Sequence, residues 1–349
     1  MAVMASATPT VPRKKAGKRA GRDRSQPLRR AFQLGFLALN LWIGVQFYVF
    51  VRYYENGGQG TWTSRPAGVE GWLPIAALMN LKVLLATGEM PRLHPAGMFL
   101  LIAFLAISWV ARKSFCGWLC PVGTVSEHLW RLGRRTFGRS VRLPRWLDVT
   151  LRGTKYLLLG LFAYAVASMS VPAIQAFLEG PYGALDDVKM LNFFRFLGIA
   201  GGLVMAVLVV ASVFIENFWC RYFCPYGALM GLAALASLLR IRRDTSLCID
   251  CDQCTKVCPS QLPVAKLIAI QSAECTGCLA CVAACPASGA LAMSAPGRRR
   301  VPAWAVAALI AMLFLGICGY ARWSGHWRTD LPARVYFELI PQASQFEHP

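Results

Sequence analysis

One cysteine spacing is written twice between residues 248 and 286. Cys248, Cys251, Cys254 and Cys258 are followed by Pro259, and Cys275, Cys278, Cys281 and Cys285 by Pro286. Two-residue spacers make a loop tight enough to hold three thiolates and several amide N–H donors around one small inorganic core. The proline after the fourth cysteine turns the chain away. A structural zinc site needs four ligands, usually as two separated pairs, and explains two identical four-cysteine runs poorly. The pattern is that of a pair of [4Fe–4S] clusters.

In two-cluster folds of this kind the fourth cysteine of each run serves the other cluster. The expected ligand sets are therefore Cys248, Cys251, Cys254 and Cys285 for one cluster, and Cys275, Cys278, Cys281 and Cys258 for the other. Interleaving brings the clusters close, so the unit can act as a wire with two stops. Such thiolates are kept on the reducing, cytosolic side of a membrane.

That membrane is implied by composition. The chain is 56% hydrophobic and only 15% charged, against about 25% charged in a soluble domain. Its 37 Lys and Arg outnumber 17 Asp and Glu for a net charge of +20. The basic residues cluster beside apolar runs (Arg29 and Arg30, Arg112 and Lys113, Arg240, Arg242 and Arg243, Arg298 to Arg300), the positive-inside pattern of cytoplasmic loops. No base-stacking or groove-reading motif accompanies the charge, so nucleic acid is not an expected partner; the lipid bilayer is.

The hydropathy pattern predicts a basic disordered cytoplasmic tail (1–30) and a membrane domain (31–239). A two-cluster domain (240–300), a final transmembrane helix (301–320) and a short periplasmic tail (321–349) follow. Crossings are expected near 31–51, 93–110, 155–177, 194–215 and 301–320. Residues 71–86 are apolar but short and interrupted by Pro74, Asn80 and Lys82, which suits a partial or re-entrant segment. If they do not cross, every Arg-rich loop falls on one side. The expected fold is thus an α-helical polytopic membrane protein of about five transmembrane helices plus one partial segment. It carries an inserted cytoplasmic bacterial-type 2[4Fe–4S] ferredoxin domain and sits in a bacterial inner membrane.

A second repeat lies inside the membrane domain: FCGWLCPVG at 115–123 and WCRYFCPYG at 219–227. Cys116 and Cys120, like Cys220 and Cys224, are four apart, which on a helix puts both thiols on one face. Pro121 and Pro225 suit the first turn of a following helix. Three readings stand: an additional metal or cluster site made by all four cysteines, redox-active or copper-handling thiols, and simple packing of small buried side chains. Cys318 has no partner and reads as core or lipid-facing.

Together, the inward helices ending in FCGWLCPVG and WCRYFCPYG, followed by CIDCDQCTKVCP and CTGCLACVAACP, resemble the NapH/NosR-type polytopic ferredoxins over about residues 31–320. The resemblance implies electron supply to a periplasmic reductase such as those for nitrate or nitrous oxide. A related group, CcoG, is linked to copper reduction during oxidase assembly. The expected function is electron transfer between the quinone pool or a cytoplasmic donor and a respiratory or periplasmic reductase partner, as a subunit rather than a stand-alone enzyme. The alternatives are a copper reductase or metalloenzyme assembly factor, and a membrane redox sensor. His94 reads as a helix-entry residue or a quinone contact, and Glu216 and Asn217 as caps or a proton relay. Trp42, Trp72, Trp109, Trp118 and Trp219 read as an aromatic belt.

Overall fold

The computed structural model describes residues 23–138 and 140–347; most of the expected basic tail lies outside them. Fifteen α-helices and one two-stranded sheet are present among the described residues. The first helix, α1 (Ser25–Glu55), spans 31 residues, about 46 Å at 1.5 Å per residue. It buries its two ends (Ser25, Arg29 and Gln33; Phe47, Phe50, Val51 and Tyr54). Between them Leu39, Leu41, Trp42 and Val45 are exposed, as a lipid-facing middle requires. The tail boundary expected at residue 30 is therefore corrected: residues 25–30 are helical, and Ser25 and Arg29 among them are buried.

Two short helices follow, α2 (Pro74–Thr87) and α3 (Pro95–Ala111). The three residues that interrupt the apolar run of α2 each have a structural task. Pro74 starts the helix. Asn80 donates to the Leu93 and His94 carbonyls, 2.8 and 3.1 Å away. Lys82 donates to the carbonyls of Val166, Ala167 and Met169, the orphaned acceptors at a neighbouring helix end. α3 is the hub. Twelve of its 17 residues are buried, and it packs on α2 and on two helices described below, α11 and α14.

An amphipathic helix, α4 (Pro121–Phe137), leads to α5 (Arg145–Ser168), which bends by 101° into α6 (Val171–Glu179). A single turn, α7 (Pro181–Ala184), precedes α8 (Asp186–Arg195), which bends by 83° into α9 (Ile199–Phe214). Then come α10 (Phe218–Tyr222) and α11 (Pro225–Leu235). The cluster segment holds β1 (Arg240–Arg243), α12 (Gln253–Lys256), α13 (Ala280–Ala283) and β2 (Leu291–Ser294). β1 and β2 pair antiparallel with Ile241 opposite Met293. The chain closes with α14 (Ala303–Trp323) and α15 (Ala333–Leu339).

Among the described residues two helices, α1 and α14, are individually long and apolar enough to cross a membrane; counting each bent pair as one span gives up to four. Length and composition thus support two to four of the five or so crossings expected. α3, counted as a crossing on its apolar run, has 17 residues, about 25 Å of helix. The segment after α14 packs against the end of α1: Tyr336 lies edge-on against Phe50 at 5.2 Å, and Phe337 against Tyr54 at 4.7 Å. Cys318 is buried in the core, which settles its two readings.

Candidate iron–sulfur centre

Each cluster run folds the same way. Asp250 and Asp252 in the first, Gly277 and Leu279 in the second, all have φ between 54° and 59°. These are equivalent positions in the two spacers. Left-handed backbone costs an L-residue about 1–2 kcal/mol, so its recurrence at Leu279, which is buried, marks a required shape. It turns successive N–H groups toward one concavity, a nest suited to an anionic core. The amide dipoles of Thr255, Ser260, Leu262 and Gly277 act on the sulfurs of Cys254, Cys258 and Cys275.

The cysteines sort into two groups by mutual electrostatic contact. Cys254 and Cys285 interact with each other and with Cys248, and Cys285 with Cys251. Cys258 meets Cys275 and Cys278, and Cys281 meets all three. The tertiary fold thus carries Cys285 to the first loop and Cys258 to the second. Cys281 also interacts with Cys254, so the groups are adjacent.

The membrane cysteines converge as well. Cys220 interacts with Cys116, Cys120 and Cys224, and the remaining pairs among the four also interact. The two motifs are built alike, though not as the expected single helical face. In the first, Cys120 N–H donates to the Phe115 carbonyl at 2.9 Å, closing a π-helical turn (Phe115–Leu119). In the second, Cys224 N–H donates to the Trp219 carbonyl at 3.0 Å. Cys120 and Cys224 are extended N-cap residues of α4 and α11. The Cys224 sulfur accepts the N–H of the glycine three residues on, Gly227, at 3.2 Å, and in the first motif the Gly123 amide dipole acts on the Cys120 sulfur. Gly123 has no room for a side chain, since a Cβ would lie 2.5 Å from the Cys116 carbonyl oxygen. An aromatic wall of Phe104 stacked on Phe115 at 3.9 Å, with Tyr226 edge-on to both, stands beside the site.

This second site is joined to the cluster loops by direct bonds. Trp118 is fully buried, and its indole N–H donates to the Gly277 carbonyl at 3.1 Å; it belongs to this junction and not to an aromatic belt. Lys113 N–H donates to the Cys275 carbonyl at 3.3 Å. From α1, Gln26 donates to the Cys278 carbonyl at 2.9 Å, and Arg29 pairs with Glu127 at 2.6 Å and donates to the Gly117 carbonyl at 3.1 Å. A cavity of about 50 Å³ lies between the two sites, lined by Lys113, Cys116, Cys220, Glu274, Thr276 and Cys278.

The donor set fits iron–sulfur chemistry better than a lone ion. Among the described residues no group of three or more His, Cys, Asp or Glu is close enough to hold one metal ion. Thiolates on a single zinc, at about 2.3 Å each, would be drawn tightly together, whereas a four-iron core spreads them. Burial pushes the Cys116 thiol up to about 11 and the Cys120 thiol to about 12, so as free thiols both would be protonated and poorly nucleophilic.

Residues outside these centres were also singled out by sequence. His94 is buried at the start of α3 in a network with Arg65, Glu70, Asp187 and Thr329, at the opposite end of that helix from the cysteines. Glu216 is buried with one carboxylate oxygen unpartnered among the described residues, and Asn217 is the left-handed cap of α10. The residues missed are Arg112 and Lys113. They read as loop charges, yet they are 0% and 3% exposed. The available signal was the repeat itself: the matching positions are Glu216 and Asn217, so the two cations are not part of the shared turn.

Twelve cysteines in three converging groups on a helical frame with lipid-facing spans define a membrane-held iron–sulfur protein. The family model described as "4Fe-4S binding domain" matches residues 93–140 and 197–244, the two hairpins that carry the Cys-x3-Cys-Pro turns. The "4Fe-4S dicluster domain" matches residues 240–286. The "Putative electron transport protein YccM" of Escherichia coli K12 is 48% identical over 326 residues, covering 92% of this chain and 91% of its own length. The "Ferredoxin-type protein NapH" of Haemophilus influenzae is 28% identical over 54% of this chain and 64% of its own. The "Regulatory protein NosR" of Pseudomonas aeruginosa is 30% identical over 53% of this chain and 25% of its own. The chain belongs to this family of membrane iron–sulfur electron-transport proteins. No solved structure matches it.

Proposed function

We propose that the chain is a membrane-bound electron-transfer subunit with three iron–sulfur groups in line. Cys248, Cys251, Cys254 and Cys285 hold one [4Fe–4S] cluster, and Cys275, Cys278, Cys281 and Cys258 the second. Cys116, Cys120, Cys220 and Cys224 hold a third group at the membrane edge. The observation that carries this reading is the junction in which Trp118 and Lys113 bond the Gly277 and Cys275 carbonyls, bringing the four-cysteine site against the second loop. The iron–sulfur groups supply reversible one-electron storage. The protein's own residues hold the sulfurs, orient amide dipoles toward them and exclude water.

The clustering of basic residues beside the apolar helices supports a cytoplasmic side for the cluster domain and the start of α1 in a bacterial inner membrane. Electrons then pass between a cytoplasmic donor or the quinone pool and a membrane or periplasmic reductase partner. The copper reading keeps the same four cysteines with a different cargo, and the sensor reading keeps the clusters without onward transfer.

Anaerobic purification with iron and sulfide counts, and electron paramagnetic resonance of wild type against Cys116→Ser/Cys220→Ser, separates these readings. About twelve irons, falling to about eight with loss of one signal in the variant, is expected for three four-iron groups. About eight irons with an unchanged spectrum in the variant sinks the third group. Stoichiometric copper lost in the variant favours the copper reading, and reduction of the clusters by a quinol analogue supports the quinone route.

A further inference from the structure

Arg112 and Lys113 are neighbours in sequence, both buried, and they serve different groups. Arg112 takes a φ of 66° at the end of α3. Its guanidinium donates to the Ala234 carbonyl at 2.7 Å, to Ser237 Oγ at 3.0 Å and to the Ser272 carbonyl, and its charge acts on the Cys275 sulfur. Lys113 points the other way. Its Nζ lies 3.5 Å from where a Cβ on Gly227 would stand, inside the second Cys-Pro-x-Gly turn. Its charge acts on Cys116, Cys224 and Cys220.

The other cations around this cavity are already matched. Lys155 holds both oxygens of Glu274 at 2.7 Å. Arg221 holds Asp148 at 2.8 and 3.0 Å, and Arg29 holds Glu127. Among the described residues Lys113 has no carboxylate within salt-bridge distance, and its nearest acid neighbour in charge, Glu274, is engaged by Lys155. A buried ammonium without a counter-charge is costly. Here it faces three of the four sulfurs, those of Cys116, Cys220 and Cys224, which become anionic when they bind metal. The equivalent position in the other repeat is Asn217, so this charge is present once and off-centre.

We propose that Lys113 raises the reduction potential of the group held by Cys116, Cys120, Cys220 and Cys224, so that electrons from the ferredoxin clusters collect at the membrane edge. The proposal rests on the reading of those four cysteines as ligands. In the step concerned, the neighbouring reduced cluster loses one electron and this group gains it; no bond is broken, and Lys113 keeps its protons. The added negative charge is stabilised by a fixed cation more than the oxidised state is, which shifts the equilibrium toward reduction.

The test is a redox titration of the purified full-length protein, followed by electron paramagnetic resonance, for wild type, Lys113→Met and Lys113→Arg. Lys113→Met is expected to lower the reduced-to-oxidised ratio of one signal at fixed potential at least tenfold, 59 mV for a one-electron couple. Lys113→Arg should keep it near wild type, and the other two signals should not move. An unshifted signal in Lys113→Met, or an equal shift in Lys113→Arg, overturns the proposal. If Lys113→Met does not assemble the group, Lys113→Gln is compared with Lys113→Arg: assembly only with arginine supports the charge requirement, and loss in both overturns it. The two readings fail separately. If Cys116→Ser/Cys220→Ser leaves iron and spectra unchanged, the ligation is wrong. If those variants lose the signal while Lys113→Met titrates as wild type, only the role of Lys113 is wrong.

Discussion

At the residue scale the chain uses buried cations as fasteners. Arg29 is 1% exposed and ties α1 to the turn that carries Cys116 and Cys120, through Glu127 and the Gly117 carbonyl. Gln33 donates to the same two acceptors. Removing one partner of a buried pair leaves the other charge unmatched, at a cost of about 3–5 kcal/mol. Arg29→Met should therefore lower the thermal unfolding midpoint and reduce iron at the four-cysteine site, while Arg30→Met, whose residue is exposed, should leave both unchanged. Iron content and a melting curve on the two variants check this. In sequence Arg29, Arg112 and Lys113 were indistinguishable from loop charges that orient a membrane protein. A run of letters shows how many cations flank an apolar helix but not which of them fold back under it.

At the element scale the decisive unit is a turn. Cys-x3-Cys-Pro-x-Gly was legible as a repeat, and the N-terminal prolines of α4 and α11 were legible with it. The helical-face argument was not correct, because the second cysteine of each pair is an extended cap after a hydrogen bond five residues back. This turn meets the second cluster loop backbone to backbone. A Cβ at Gly117 would lie 2.6 Å from the Thr276 carbonyl oxygen. At Gly277 it would lie 2.4 Å from Ser114 Oγ and 3.0 Å from the Ala111 carbonyl oxygen, in a residue with φ of 59°. Gly277→Ala is expected to displace the second loop. The checks are iron content and protease cleavage within residues 240–300, both of which should change, whereas Gly297→Ala (φ 74°, no atom within 4 Å) should carry only the small cost of its own backbone strain.

At the scale of the whole molecule, the end of α3 remote from the cysteines is closed by a buried ionic knot. Arg65 pairs with Glu70 and Asp187 at 2.6 Å each, Thr329 donates to Glu70 at 2.6 Å, and the His94 ring meets the Gly183 carbonyl at 2.8 Å. It draws together the loop after α1, the starts of α3 and α8, and the segment after α14. Burial by itself would raise the Glu70 carboxyl, but Arg65 and His94 hold it down, to about 2. A carboxyl lowered on folding contributes stability that is full above its unfolded value near 4.5 and is lost as pH falls toward 2. Wild type should lose thermal stability across that window. Glu70→Gln should be less stable at neutral pH and show a shallower loss between pH 4.5 and 2, measured as melting temperature against pH in detergent. A fall of equal slope in both proteins would remove Glu70 from the account.

The sequence by itself determined the chemistry and the class. Cysteine spacing is a local property, so two cluster loops, a repeated membrane turn and an apolar helical frame could be read from the order of residues alone. Only the tertiary structure decided how these parts meet. It brought Cys285 and Cys258 across to opposite loops and gathered Cys116, Cys120, Cys220 and Cys224 from segments about a hundred residues apart. It also turned Arg112 and Lys113 inward and bent two predicted crossings into angled pairs. The physical reason is that burial, pairing and bending depend on what packs against a segment. A charge beside an apolar helix is a solvated flank or a buried counter-charge according to neighbours that sequence distance does not reveal.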